Sequence, residues 1–437
     1  MNHKKGLKKD IEGWLARFFL RELCHLGPYF VGNRIGKEIA SLNFLRKEGY
    51  KFFHEAYANE HRVVWTSLFV PSEILFALGL IPLSLEVIAA LFAGLGQSPK
   101  GLAEAEAEGI PTDVCTFHRS ALGFAFKGYI PRPIIHAATS TLCDSNIKMS
   151  RIGETITGKE TLVLDVPYDL TKESVRYLSA QLEEFTKKLE AVAGRRMDPQ
   201  RLREVIERAN RTREKMLEIN EIRTSPFSPL PGTKALGFML PSHVLQGSRR
   251  SEEFYTRLAA ELKETVSAKE KSGASPEEKI RLLWLELKPY FKCEIPTAIE
   301  TDSDIKIAFE ETNYVYWEPL DPQRPYESLA RKLISNHYNG PLDRRIAVLK
   351  TLVKKYDIDG AIIFSHWGCR RNNAAVPVIK RELNLEGIPV MNLDGDCVDD
   401  QNFTSGQLKT RLEGFMEMLR CGGHSQSASG GRLLTTP

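Results

Sequence analysis

The chain has 437 residues, 42% of them hydrophobic and 27% charged. This is the composition of an ordinary globular protein long enough for two or three domains, and it excludes global disorder and collagen-like repeats. Sixty Lys and Arg against 56 Asp and Glu leave a formal net charge of +4, too small over this length for a nucleic-acid footprint, so any anionic ligand is expected to be held locally.

Residues 1–60 read as a helical arm, because IEGWLARFFLREL and FLRKEGYKFFHEAYANEH place apolar side chains at helical spacing between charges. MNHKKGLKKD is basic, but the amphipathic run after it carries Glu12, Arg17, Arg21 and Glu22 and is not a signal-peptide core. A first α/β domain is expected over 61–170. RVVWTSLFV is a strand closed by Pro71, Ser72 and Glu73, IPLSLEV is a second apolar run, and LVLDVPYD is the cleanest strand of this half. The apolar stretch from Leu68 to Leu95 is divided by Pro71, Glu73, Pro82 and Glu86, which excludes a membrane span. Over 171–275, two charged helices begin at the capping residues Thr171 and Asp198 and form a helical layer, ending in the linker EKSGASPEEK. Alternation of strands and helices then restarts over 276–420, with GAIIFSH and IPVMNLD as strands, and the Gly- and Ser-rich tail 421–437 is expected to be disordered. The expected fold is therefore α/β, with two doubly wound parallel-sheet domains, a helical N-terminal arm and a charged helical layer.

Seven cysteines at long, irregular spacings do not make a secreted disulfide framework, so a cytoplasmic protein with free, catalytic or metal-bound thiols is expected. Cys115 in TDVCTFHR, Cys143 in STLCDSN and Cys369 in SHWGCRRN each follow an apolar or β-branched run and precede a polar segment that starts a helix; Cys397 in NLDGDCVDD is a fourth candidate. Ligands of open α/β sheets bind outside the carboxyl ends of strands, where such thiols can converge between domains. Thiolates without paired His favour zinc or an iron-sulfur cluster, and the absence of a Cys-x-x-Cys pair leans toward a cluster. Taken singly, each cysteine reads preferably as a small buried hydrophobe, and only the three together weigh equally as ligands.

With these residues in view, the chain resembles the 2-hydroxyacyl-CoA dehydratase and benzoyl-CoA reductase family, specifically its cluster-carrying subunits. The matching stretches are FVPSEILFALGLIPLSLE, CTFHRSALG, TLCDSN, SHWGCRRN and IPVMNLDGDCVDDQNFTSGQLKTRLEGF, which together bracket roughly residues 60–415. The resemblance implies a 4Fe-4S cluster held by Cys115, Cys143 and Cys369 with one iron left open, and a separate ATP-dependent iron-sulfur activator that injects a low-potential electron. It also implies an oxygen-sensitive lyase that eliminates water, syn or anti, from a 2-hydroxyacyl-CoA through a ketyl radical of the thioester. A related second subunit or a homodimer is implied as well, with neither nucleic acid nor membrane as partner. Alternatives within the superfamily are a reductase of aromatic acyl-CoA, a double-cubane reductase drawing on further cysteines such as Cys24, Cys293 and Cys397, or a non-catalytic electron-relay subunit. RLLWLELKPYF departs from the resemblance, with Glu286 and Lys288 where a Gly- and Pro-rich turn is expected.

Other candidates surround these motifs. Glu73 is readable as a proton-transfer group or, preferably, as a carboxylate at a helix N-terminus. Ser365, His366 and Trp367 precede Cys369 and are expected to line its pocket, with Ser365 and His366 as catalytic candidates. Arg119, beside His118, is expected to steady CoA phosphates or cluster charge. Arg370 and Arg371 sit where a helix begins and so require an anionic partner, for which the CoA phosphates of the substrate are expected. The aspartates 394, 396, 399 and 400 read as a solvated acidic loop, and no glycine-rich phosphate loop is present, which leaves ATP to a partner.

Overall fold

The computed structural model describes residues 2–31, 39–273, 275, 279–302 and 304–427. Two helices, α1 (Asn2–Phe30) and α2 (Ala40–Ala58), form the N-terminal arm. The first α/β unit runs β1 (Val63–Thr66), α3 (Ser72–Ala77), β2 (Ile81–Ser84), α4 (Leu85–Gly94), α5 (Ser98–Ala107), α6 (Thr116–Phe126), β3 (Ile135–Thr139), α7 (Ser145–Thr157) and β4 (Thr161–Leu164). Its four strands are all parallel and lie in the order β2-β1-β3-β4. Strands β1, β2 and β3 are buried at every position, as parallel strands covered by helices on both faces must be.

Three long helices follow, α8 (Lys172–Ala193), α9 (Pro199–Ile222) and, after the short α10 (Gly232–Ala235), α11 (Arg249–Lys271). Thr171 and Asp198 cap α8 and α9 through their side chains, accepting from the amides of Ser174 and Gln200. Each helix turns one apolar stripe inward, Val175, Leu178, Leu182, Phe185 and Leu189 in α8, and leaves its charges in water.

The second α/β unit runs β5 (Ile280–Leu285), α12 (Glu294–Glu300), β6 (Ile305–Glu310), α13 (Pro325–Ile334), α14 (Leu342–Lys355), β7 (Gly360–His366), α15 (Arg370–Leu385), β8 (Val390–Gly395) and α16 (Ser405–Ser427). Its order, β6-β5-β7-β8, repeats that of the first sheet, again all parallel. Each sheet therefore reverses its direction of growth between its first and third strands, β1/β3 and β5/β7, where open α/β sheets bind ligands. Part of the expected linker, 274 and 276–278, lies outside the described residues. The expected disordered tail begins instead as helix, since α16 continues to Ser427, and 428–437 lie outside the described residues.

Buried ion pairs join the parts. At the end of α9, Arg223 donates to both carboxylate oxygens of Glu310 at the end of β6, at 2.6 and 2.7 Å. From α14, Arg345 grips Glu311 in the same forked manner, at 2.6 and 2.7 Å. Closer still is the crossing of α5 and α6, where a Cβ on Gly123 would lie 1.7 Å from the carbonyl oxygen of Gly101. Two facing glycines thus set where α6 begins, and Cys115 occupies the position just before its first residue. Gly123→Ala is expected to destabilise the protein by about 3 kcal/mol, since neither backbone can yield cheaply; the denaturant midpoint measures this.

His136 on β3 is fully buried, and burial lowers its pKa to about 4. An unfolded imidazole titrates near 6.5, so the unfolded chain takes up the proton first and stability falls as pH drops from 6.5 toward 4. The contribution of His136 is about 3 kcal/mol over that interval. Denaturation of His136→Gln is expected to show a shallower loss of stability over the same pH range.

Candidate active site

Equivalent strand ends of the two sheets supply two of the thiols. Cys143 follows β3 and directly precedes Asp144 and α7; Cys369 follows β7 and directly precedes α15. Cys115 differs from the expectation, because the segment before it forms turns and no strand, and the thiol stands instead at the start of α6. All three still meet. The backbone at Gly368 adopts φ +74°, and a Cβ there would sit 2.9 Å from the Cα of Cys115 and 3.1 Å from its amide nitrogen. Beside this contact, Arg370 reaches across to Asp144 at 3.1 Å. The residues next to Cys369 therefore touch Cys115 itself and the residue next to Cys143.

Burial pushes the Cys115 thiol well above its ordinary pKa, and the proximity of Cys369 and Cys143 pushes it further. Burial raises Cys369 to about 11, with Glu286 adding to the effect, and burial raises Cys143. Cys397, fully buried, stands near enough to Cys115 and Cys369 to be raised by both, after burial and Asp396. Without a cation these four groups are thiols. Among the described residues, no group of three or more His, Cys, Asp or Glu is arranged to hold a metal ion.

His366 ends β7 and is buried. The Cys397 amide donates to its Nδ1 at 3.1 Å, which leaves the ring proton on Nε2, 3.2 Å from the Cys115 sulfur. Burial lowers its pKa, so the neutral ring is a donor to that sulfur. Asp396 stands behind it, with Nδ1 to Oδ1 at 3.8 Å. Its Oδ1 accepts from the Thr116 hydroxyl and from the amides of Val398 and Asp399 at 2.7–2.9 Å. Asp396 and Asp399 are buried, which corrects the reading of this loop as wholly solvated.

Several expected site residues have other tasks. Ser365 precedes His366 on β7 and therefore faces the opposite side of the sheet, where its hydroxyl donates to Asn392 at 2.5 Å. Glu73 is fully buried in α3, 2.6 Å from Lys332 Nζ, in a small cavity with His243, Tyr316 and Trp317 that includes none of the cysteines. Arg119 is buried in α6 and bonds Glu106 and the Thr112 carbonyl, so it braces α5 against α6. Arg370 and Arg371 do have the required anionic partners, and they are protein carboxylates: Asp144 for the first and Glu286, at 3.0 Å, for the second.

Glu286 was visible in the sequence only as a departure. It follows β5, the strand paired with β7, and holds φ +67°. Its Oε1 lies 2.9 Å from Arg345 and 3.0 Å from Arg371. Leu142, immediately before Cys143, holds φ +77°. Bulky residues in this left-handed region are strained by about 1–2 kcal/mol, and both flank the thiols. Next to Cys115 and Cys143 a cavity of about 170 Å³ opens between the first unit, the π-helical turn Leu240–Val244 and the loop after β5. His118 lines it, with burial lowering its pKa to about 4 and its Nδ1 without a partner. A larger cleft of about 700 Å³ between α2, α9 and the start of α11 has matched Arg and Glu walls and includes none of the cysteines.

Two doubly wound units with thiols gathered where they meet define an α/β protein whose site belongs to both units at once. The profile of the 2-hydroxyglutaryl-CoA dehydratase D-component family matches residues 67–419, and the chain belongs to that family. It is thereby placed among dehydratase components, enzymes of the lyase class. The chain is 26% identical to the (R)-phenyllactyl-CoA dehydratase alpha subunit of Clostridium sporogenes over 84% of its length and 91% of that protein. It is 24% identical to the (R)-2-hydroxyisocaproyl-CoA dehydratase alpha subunit of Clostridioides difficile, over 86% of the chain and 95% of that protein. One of the benzoyl-CoA reductase subunits of Thauera aromatica is also 24% identical, over 78% of the chain and 83% of that protein. No helix among the described residues is long and apolar enough to cross a membrane.

Gly368→Ala is expected to cost about 2 kcal/mol, from left-handed strain and from contact with the Cys115 backbone. Chemical denaturation measures the loss. Gly387→Ala, at φ +80° with open space around it, carries the strain alone and is expected to lose less.

Proposed function

We propose that this chain is the iron-sulfur subunit of a 2-hydroxyacyl-CoA dehydratase, with Cys115, Cys143 and Cys369 as the ligands of a 4Fe-4S cluster. The observation that carries the proposal is the proximity of these three thiols, brought from the start of α6 and from two equivalent strand ends, with Cys115 and Cys143 lining one cavity. The donor set fits: three soft sulfurs of half-buried cysteines, mutually repelling if ionised, suit a cluster and leave one iron without a protein thiolate. Such a cluster, when bound, supplies a low-potential electron and an open iron for the departing hydroxyl.

The chain's own residues supply the setting. His366 donates its Nε2 proton to the Cys115 sulfur, which favours the electron-rich form of that ligand. The Cys397 amide, donating to Nδ1, fixes the tautomer. Glu286, clamped by Arg345 and Arg371, keeps a fixed negative charge near Cys369. His118 lines the cavity as a buried imidazole whose pKa burial lowers to about 4. A related second subunit is part of the proposal, supported by relatives that are themselves named as subunits of dehydratases or of a reductase. An ATP-dependent activator is the remaining partner, supported by the lack of a phosphate-binding loop in this sequence.

Anaerobic purification followed by iron and sulfide analysis tests the assignment. About four irons per chain are expected, against about eight for a double cubane. Cys115→Ala, Cys143→Ala and Cys369→Ala should each lose iron, and Cys421→Ala, at an exposed position, should retain it. Equal iron in all four variants refutes the ligand set. With activator and second subunit added, water elimination from a 2-hydroxyacyl-CoA supports the dehydratase; ring reduction of an aromatic acyl-CoA in its place identifies a reductase.

A further inference from the structure

The walls of the cavity beside Cys115 and Cys143 restrict what enters it. Val87 and Ala90 from α4, Phe117 from α6, Leu240 from the π-helical turn and Tyr290 from the loop after β5 make it predominantly apolar. Among the described residues that line it, the polar side chains are Glu86, His118 and Asn146, and there is neither Lys nor Arg. Glu86 is fixed in place, accepting from the Ser84 hydroxyl at 2.8 Å and from the Leu68 amide at 3.4 Å.

Size and charge then point the same way. The cavity measures about 170 Å³, and an apolar cavity of about 150 Å³ is enough to take up benzene. A carboxylate placed there would leave water with neither Lys nor Arg among the described lining residues to pair with, which is unfavourable. We propose that this cavity receives the acyl side chain of the thioester substrate and selects an apolar group of isobutyl to phenyl size over one that ends in a carboxylate. The proposal rests on the acyl-CoA reading of the site and adds to it the class of acyl group.

Binding of unreactive thioesters tests it without turnover. The chain, purified anaerobically with its iron, is titrated calorimetrically with acetyl-CoA, 4-methylpentanoyl-CoA, 3-phenylpropanoyl-CoA and glutaryl-CoA, none of which carries a 2-hydroxyl group. The two apolar thioesters are expected to bind at least about tenfold more tightly than glutaryl-CoA, the discrimination that burial of even one methylene can provide. Ala90→Phe fills the cavity and should remove the advantage of both apolar thioesters over acetyl-CoA. Val87→Phe, one turn earlier on the same face of α4, is the companion variant should Ala90→Phe not fold. Ala90→Arg should improve glutaryl-CoA. Equal or tighter binding of glutaryl-CoA by the unaltered chain overturns the apolar assignment and leaves the thioester reading standing. An apolar preference that survives both Phe variants overturns the location. Failure to bind any thioester, acetyl-CoA included, overturns the thioester reading and this proposal with it.

Discussion

Backbone contact between Gly368 and Cys115 is the constraint on which the site depends. A side chain at 368 would overlap the Cα of Cys115, so the loop after β7 and the start of α6 approach each other only because that side chain is missing. The same turn delivers Cys369 on one side and aims His366 at the Cys115 sulfur on the other. The Arg370–Asp144 pair adds a second stitch between the units at the Cys143 end. That pair is exposed and worth at most about 1 kcal/mol; close packing of the two backbones is the stronger determinant of geometry.

Repetition of one strand order in the two sheets explains why thiols from distant parts of the sequence meet. Cys143 and Cys369 occupy corresponding positions, after the third strand of their respective sheets and before the next helix. Cys115 has no counterpart in the second unit and enters from a helix start that the Gly101–Gly123 crossing sets. The gathering is thus asymmetric, two equivalent loops and one extra helix terminus, and its open side faces the cavity bounded by α4, α6 and the loop after β5. Strain at Leu142 and Glu286 is located on the same rim, where neighbouring structure is dense enough to hold unfavourable backbone in place.

The parallel strands and long helices were legible in the sequence because they rest on local pattern: continuous apolar runs such as GAIIFSH, and stripes such as that of α8 with its Thr171 cap. Which cysteines stand at segment ends was legible for the same reason. Partners were not. Arg119 reads as a free cation beside Cys115 until Glu106, thirteen residues away, is found against it. Glu73 reads as a helix-dipole carboxylate until Lys332, from the other half of the chain, is found 2.6 Å away. Ser365 and His366 look alike as neighbours of Cys369, and only the pleat of β7 separates them onto opposite faces. Glu286 could be noted as a departure from the family pattern, but its clamp of two arginines comes from α14 and α15 and has no local signature.

Mössbauer spectroscopy of the anaerobically purified, isotopically enriched chain tests the central claim most directly, namely that three protein thiolates surround one cluster and leave one iron open. The expected spectrum separates the irons in a three-to-one ratio, with the minor site shifted when an acyl-CoA is added. A spectrum in which all irons are equivalent and indifferent to the thioester would contradict it.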